Sequence, residues 1–311
     1  ASASVATGPA PPAERNETMG AAGKRGFFIA AWAALFLVAF PGNGACETKK
    51  IPVTVSVPPQ AFFVEKIGGD RVVVQTMVPR FSSPATYEPT PRQMIGLEQS
   101  ALYVKVGVPS FIFEKKYVDP LLKRNGAIRV ISLSDGISFR QGTSHGNGDG
   151  EPDPHVWLSP AAVRAAAGRI SEALSEIDPA GEGFYRANRD RFQAEIDSLD
   201  KEIRDTLRGK EGLSFMVYHP AWGYFADSYG LVQIALEEEG KTPPISRIRA
   251  MIDLAREKGI SVIFVQKGFD TKSARLIARE TGGEVVEMDP LEKNWLGNLK
   301  RFSEALKRTL R

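Results

Sequence analysis

Two of the three histidines in this chain stand beside proline, in Asp153-Pro154-His155-Val156-Trp157-Leu158-Ser159-Pro160 and in Tyr218-His219-Pro220-Ala221. Imidazole is the commonest protein ligand for transition metals, and it ionises near neutral pH. Proline fixes φ, so a Pro-His or His-Pro step holds the ring at a defined point where a loop or strand turns into a helix. A third junction of the same kind, Val286-Glu287-Met288-Asp289-Pro290-Leu291, offers a carboxylate. Taken singly, each histidine reads as a hydrogen-bonded structural residue. Taken with Asp289, the pair reads as a borderline N/O donor set suited to Zn²⁺ or Mn²⁺, with His155, His219 and Asp289 as the ligands. His145 stands apart, in a polar loop (141–151) that holds Gly142, Gly146, Gly148 and Gly150.

Alternating strands and helices must carry these junctions. Strand patterns fall at 53–57, 71–78, 101–106 and 127–131, with helical patterns at 60–67, 91–99, 111–123 and 161–177. After residue 212 the alternation resumes, with strands at 213–217, 231–236, 261–266 and 284–287 and helices at 222–229, 245–258, 272–281 and 296–310. Alternation of this kind implies mostly parallel sheets wrapped by helices. Between the two runs lies 184–207, where Phe192, Ile196, Leu199, Ile203 and Leu207 recur at steps of three and four among many charges. That spacing predicts one long, one-sided helix, bounded by Asp178-Pro179 and by Gly209 and Gly212. The expected fold class is α/β: two lobes, each a mostly parallel sheet wrapped by helices, bridged by one long helix. The expected organisation is an N-terminal extension over 1–46, one lobe over 47–181, the linking helix over 182–209 and a second lobe over 210–311. The halves share no residue-level repeat. Open sheets present ligand sites beyond the carboxyl ends of their strands, so the junctions after 78, before 155, after 217 and after 287 should face one cleft.

The N-terminal residues carry an export pattern. Lys24-Arg25 precedes an apolar run over 27–40 and a small-residue stretch over 41–45, which makes Met19 the expected start of a secretory signal. Cys46, the one cysteine, follows directly. It is read equally as a lipid-bearing residue and as the first position after simple cleavage near Ala45. A single cysteine excludes an internal disulfide. With 40 Lys and Arg against 37 Asp and Glu, a net charge of +3, the chain has no long basic stripe and nucleic acid is not expected as a partner.

In their order and spacing, Thr86-Tyr87-Glu88-Pro89-Thr90-Pro91, Asp153-Pro154-His155-Val156-Trp157-Leu158, Tyr218-His219-Pro220-Ala221, Glu239-Gly240-Lys241-Thr242-Pro243-Pro244 and Met288-Asp289-Pro290-Leu291 resemble one family over residues 50–311. It is the cluster A-I (cluster 9) solute-binding proteins of zinc/manganese ABC importers. The resemblance implies an exported, monomeric, non-enzymatic protein. Such a protein captures a divalent metal as transported cargo in an interlobe cleft and hands it to a membrane permease through small lobe shifts. The family's ligand roles fall on His155, His219 and Asp289. Two positions depart from the family pattern. Ala85 stands where a histidine ligand is usual, and Gln266 where a glutamate is usual, so water, Glu88 or Gln266 is expected to complete the site. Two other functions follow from the same residues. One is the same fold with altered or lost metal binding. The other, ranked last, is a zinc hydrolase using His155, His219, Asp289 and an open position, with Glu88 or Asp153 as base.

Overall fold

The computed structural model describes residues 50–142, 150–237, 243–266, 268 and 271–310. The export pattern, Cys46, His145 and Glu239 to Thr242 of the fourth motif lie outside the described residues. Chain order in the first lobe is β1 (Ile51–Val55), α1 (Pro58–Gly68), β2 (Val72–Thr76), α2 (Pro91–Glu98), β3 (Leu102–Lys105), α3 (Asp119–Arg124) and β4 (Arg129–Ser132). Then α4 (Pro160–Ile177) and α5 (Glu182–Leu207) lead to the second lobe. There the order is β5 (Ser214–Val217), α6 (Gly223–Ser228), β6 (Val232–Ala235), α7 (Ile245–Glu257), β7 (Val262–Val265), α8 (Lys272–Thr281), β8 (Glu284–Glu287) and α9 (Trp295–Thr309).

Both sheets are wholly parallel, ordered β2-β1-β3-β4 and β6-β5-β7-β8. The two orders are the same topology used twice. In each, the chain leaves the central strand for one neighbour and returns to its other side, which opens a crevice at the strand ends. β1 and α1 each begin two residues earlier than the sequence pattern suggests; for α1 the reason is Pro58 at the first helical position, where a missing N–H costs nothing. The single helix expected over 111–123 is instead a wide π turn over Glu114–Val118 that runs into α3. Pro120 explains the difference: it has no N–H for the 116 carbonyl, and its ring crowds that carbonyl.

α5 is 26 residues long, ~39 Å at the α-helical rise. Its buried residues are Tyr185, Asn188, Phe192, Ile196, Leu199, Ile203 and Leu207. Phe192 meets Phe62 and Phe63 of α1, and Asn188 donates to the Ile67 carbonyl at 2.8 Å, so its first half is fastened to the first lobe. Its second half is fastened to the other lobe, where Tyr229 donates to Asp200 at 2.9 Å and Lys300 of α9 pairs with Glu202 at 2.5 Å. One apolar core runs through both lobes, from Val53 and Phe63 to Phe225, Trp295 and Phe302. The lobes also meet directly: Trp295 Nε1 donates to the Trp157 carbonyl at 2.6 Å, and Trp157 Nε1 to the Pro290 carbonyl at 2.8 Å. Among the described residues, no helix is long and apolar enough to cross a membrane.

Candidate metal centre

His219 is positioned by the sheet of the second lobe. Hydrogen bonding continues past the end of β5: Tyr218 N donates to the Phe264 carbonyl at 2.8 Å, and Glu237 N to the Tyr218 carbonyl at 3.1 Å. The chain then turns sharply at Pro220, with Ala221 N on the His219 carbonyl at 2.8 Å. Two neighbouring strands thereby set His219 beside Glu237, whose carboxylate meets His219 Nδ1 at 2.5 Å. The Glu237 side chain is only 3 % exposed.

His155 is positioned by its own motif. Asp153 Oδ1 accepts from the His155 backbone N–H at 3.0 Å and lies 2.7 Å from His155 Nδ1, so one carboxylate fixes both the turn and the ring. Asp153, also 3 % exposed, is held in turn by Arg140, whose Nη1 lies 3.5 Å from Asp153 Oδ2. Tyr224 of α6 donates to the Asp153 carbonyl at 3.1 Å, so the second lobe reaches the first at this point. Trp157 is buried and packs edge-on against His155, with ring centroids 5.2 Å apart. Burial lowers the pKa of His155 against the opposing pull of Asp153, which favours the neutral ring that a metal requires.

The two imidazoles converge from opposite lobes, with His155 Nε2 and His219 Nε2 3.1 Å apart. A carboxylate can only accept, so each Nδ1 carries a hydrogen, and in the neutral rings each Nε2 then presents its lone pair. Two lone pairs facing at this distance repel unless a metal ion or a shared proton lies between or beside them. Two nitrogens on one tetrahedral zinc, at bonds of ~2.05 Å, stand about 3.3 Å apart, so the observed spacing fits with little adjustment. A histidine whose second ring nitrogen is held by a carboxylate is the usual ligand arrangement around zinc.

Asp289 is not gathered with the histidines. Among the described residues, no three His, Cys, Asp or Glu side chains are assembled around a common metal point. Its Oδ1 accepts from Leu291 N at 2.9 Å, while its buried Oδ2 has no hydrogen-bond partner among the described residues. Burial raises its pKa. The next residue, Pro290, accepts from Trp157, so Asp289 is tied through one short link to the stretch that carries His155. Ala85 lies in an exposed turn closed by Thr86 N and Tyr87 N on the Ser83 carbonyl. Glu88 does not complete the site: its side chain is 75 % exposed and engages Lys116 and Tyr117 on the surface. Gln266 is buried at the end of β7. Trp157 and Trp222 are buried packing residues, and Trp222 stacks on Phe302 at 3.7 Å.

Two neighbours of the site were not legible as such. Glu237 precedes a charged run that reads as solvated surface, and only pairing of β5 with β6 brings it to His219. Arg80 follows Pro79 in the loop after β2, and it stands 3.8 Å from Asp289 across the lobes.

Fold and site together define a class: a two-lobed receptor joined by a long helix, with metal-type donors presented at the cleft. The family described as "Zinc-uptake complex component A periplasmic" matches residues 53–309, and the chain belongs to that family. It is 27% identical over 290 residues to the high-affinity zinc uptake system protein ZnuA of Bacillus subtilis, covering 86% of this chain and 88% of the relative. Over 277 residues it is 26% identical to the iron-binding protein YfeA of Yersinia pestis, covering 85% and 86%. The crystal structure of a ZnuA deletion mutant with zinc bound superposes with a TM-score of 0.78 at 37% identity, covering 84% of this chain and 98% of that one. The protein is thus a metal-binding solute-binding component of ABC uptake systems.

Proposed function

We propose that this protein captures a divalent transition metal, zinc first among them, outside the cytoplasmic membrane and delivers it to an ABC permease. His155, His219 and Asp289 are its protein ligands, and it acts as a monomeric carrier rather than a catalyst. The observation that carries this reading is the convergence of His155 Nε2 and His219 Nε2 at 3.1 Å, each ring backed by a buried carboxylate. Nitrogen-rich donors favour zinc over manganese, and three protein ligands leave a four-coordinate zinc one position for water. Asp289 joins the two rings through a small lobe displacement, since Trp157 already links its segment to that of His155. The names of the relatives, zinc uptake in one case and iron binding in another, support the class of cargo. The export pattern supports a periplasmic or membrane-tethered location, the tether being Cys46.

Metal analysis of protein purified without chelators, followed by calorimetric titration of the stripped protein, tests the reading. One equivalent of a transition metal is expected, together with tight zinc binding that His155→Ala and His219→Ala each abolish. Absence of binding in the parent, or parental affinity in both variants, would overturn it.

A further inference from the structure

Asp289 opens onto an interlobe cleft that it shares with Arg80, Met288, Glu292, Asn298 and Arg301. Its side chain is 10 % exposed, and its Oδ2 takes no hydrogen bond among the described residues. The nearest cation is Arg80 of the first lobe: its Nη2 stands 3.8 Å from that oxygen, within Coulombic reach but too far to bond. The same Nη2 is 2.6 Å from Glu292 Oε2, three residues along the second lobe. One guanidinium is therefore divided between two carboxylates, bonded to one and facing the other.

The loop holds Arg80 in this position by unusual means. Phe81 has φ +64°, a left-handed conformation rare for a side chain of its size, and its ring lies under the Arg80 guanidinium at 4.8 Å. Gly268 passes so close that an added Cβ would stand 2.9 Å from the Phe81 carbonyl oxygen. A strained backbone kept in place by a close neighbour is the signature of a positioned group.

We propose that Arg80 is a built-in competitor for the metal: its charge occupies Asp289 in the unloaded protein, and Glu292 receives it when the metal arrives. Zinc at Asp289 Oδ2 repels the guanidinium, which needs only to settle fully on the carboxylate it already bonds. The exchange sets affinity low enough for release and registers loading in a contact between the lobes. Arg80 is a positioning residue, not a ligand. The inference rests on Asp289 being a metal ligand.

Zinc affinity of the stripped full chain, measured by competition with a chromogenic chelator, tests it. Arg80→Ala should bind zinc about fivefold more tightly, the scale of a half-exposed ion pair. Glu292→Gln should bind about fivefold more weakly, because Arg80 then falls wholly on Asp289, and the effect should vanish in the Arg80→Ala background. If Glu292→Gln weakens binding equally in both backgrounds, or Arg80→Ala fails to strengthen it, the shared guanidinium is overturned while the ligand assignment stands. If Asp289→Asn binds zinc like the parent, the ligand assignment itself falls and takes this inference with it. Thermal melts of the stripped variants check that each is folded, Arg80 being about half exposed.

Discussion

Glu237 is not one of the proposed ligands, yet its carboxylate decides which nitrogen of His219 is turned away from it. A neutral imidazole carries its hydrogen on one nitrogen only, and the carboxylate at Nδ1 keeps Nε2 free of it. Glu237→Gln keeps the shape but replaces a partner that can only accept at Nδ1 with an amide that can also donate, so the ring orientation is no longer fixed and zinc affinity should fall about 10- to 100-fold. His219→Ala should cost more than that, since it removes a donor outright. A Glu237→Gln variant with parental affinity in the same titration would show that the carboxylate does nothing for the ring. The histidines were legible because three in the whole chain is few and two abut proline. Glu237 was not legible, because it is one of 37 acidic residues and its partner lies 18 positions away on a neighbouring strand. Asp289 was legible as a candidate but not in its present company, since no sequence pattern announces that an arginine from the other lobe will face it.

At the scale of elements, the turn from α4 into α5 depends on Asp178. Its carboxylate accepts from the Tyr185 hydroxyl at 2.7 Å and pairs with Arg71 at 2.7 Å. The tyrosine hydroxyl first, and the guanidinium with it, hold the Asp178 pKa below its ordinary value. A lowered carboxylate pKa stabilises the folded state at neutral pH, and that stabilisation is lost as pH falls through the acid range. Asp178→Asn should therefore cost about 1 kcal/mol near pH 7 and progressively less towards about pH 3. Urea unfolding across that range checks it; an equal deficit at every pH would assign the loss to packing instead. On α5 itself, Phe192 closes a cluster with Phe62 and Phe63 and is 1 % exposed, so Phe192→Ala should cost about 3–5 kcal/mol. The helix was legible because its stripe from Phe192 to Leu207 repeats over about four turns and needs no distant partner. The π turn before α3 was not, although Pro120 stood in plain view. A helical pattern marks the face that packs, and it does not say how the backbone passes a proline.

For the whole molecule, the sequence indicates two lobes but not that both use one strand order. Parallel pairing joins residues far apart in the chain, and no local pattern records which neighbour a strand chooses. Nor was the continuity of the core legible, and it governs how the protein responds to its cargo. Phe63 of the first lobe meets Trp295 of the second edge-on at 5.4 Å, and α5 packs against both lobes. Such a molecule has no hinge around which two independent bodies swing, so residues 50–310 should unfold in one transition. Metal bound by ligands from both lobes, as proposed, would then stabilise all of it at once. At free zinc about 100 times Kd, linkage adds about 2.7 kcal/mol. For a domain of this size each kcal/mol raises Tm by roughly 2–4 °C. A single calorimetric transition that moves up by roughly 5–11 °C is expected. Asp153→Asn, which loosens His155 from its carboxylate, should shrink the shift at equal zinc without splitting the peak. Two separate transitions in the stripped parent, only one of them sensitive to zinc, would mean that the lobes fold independently and that the shared core does not couple them.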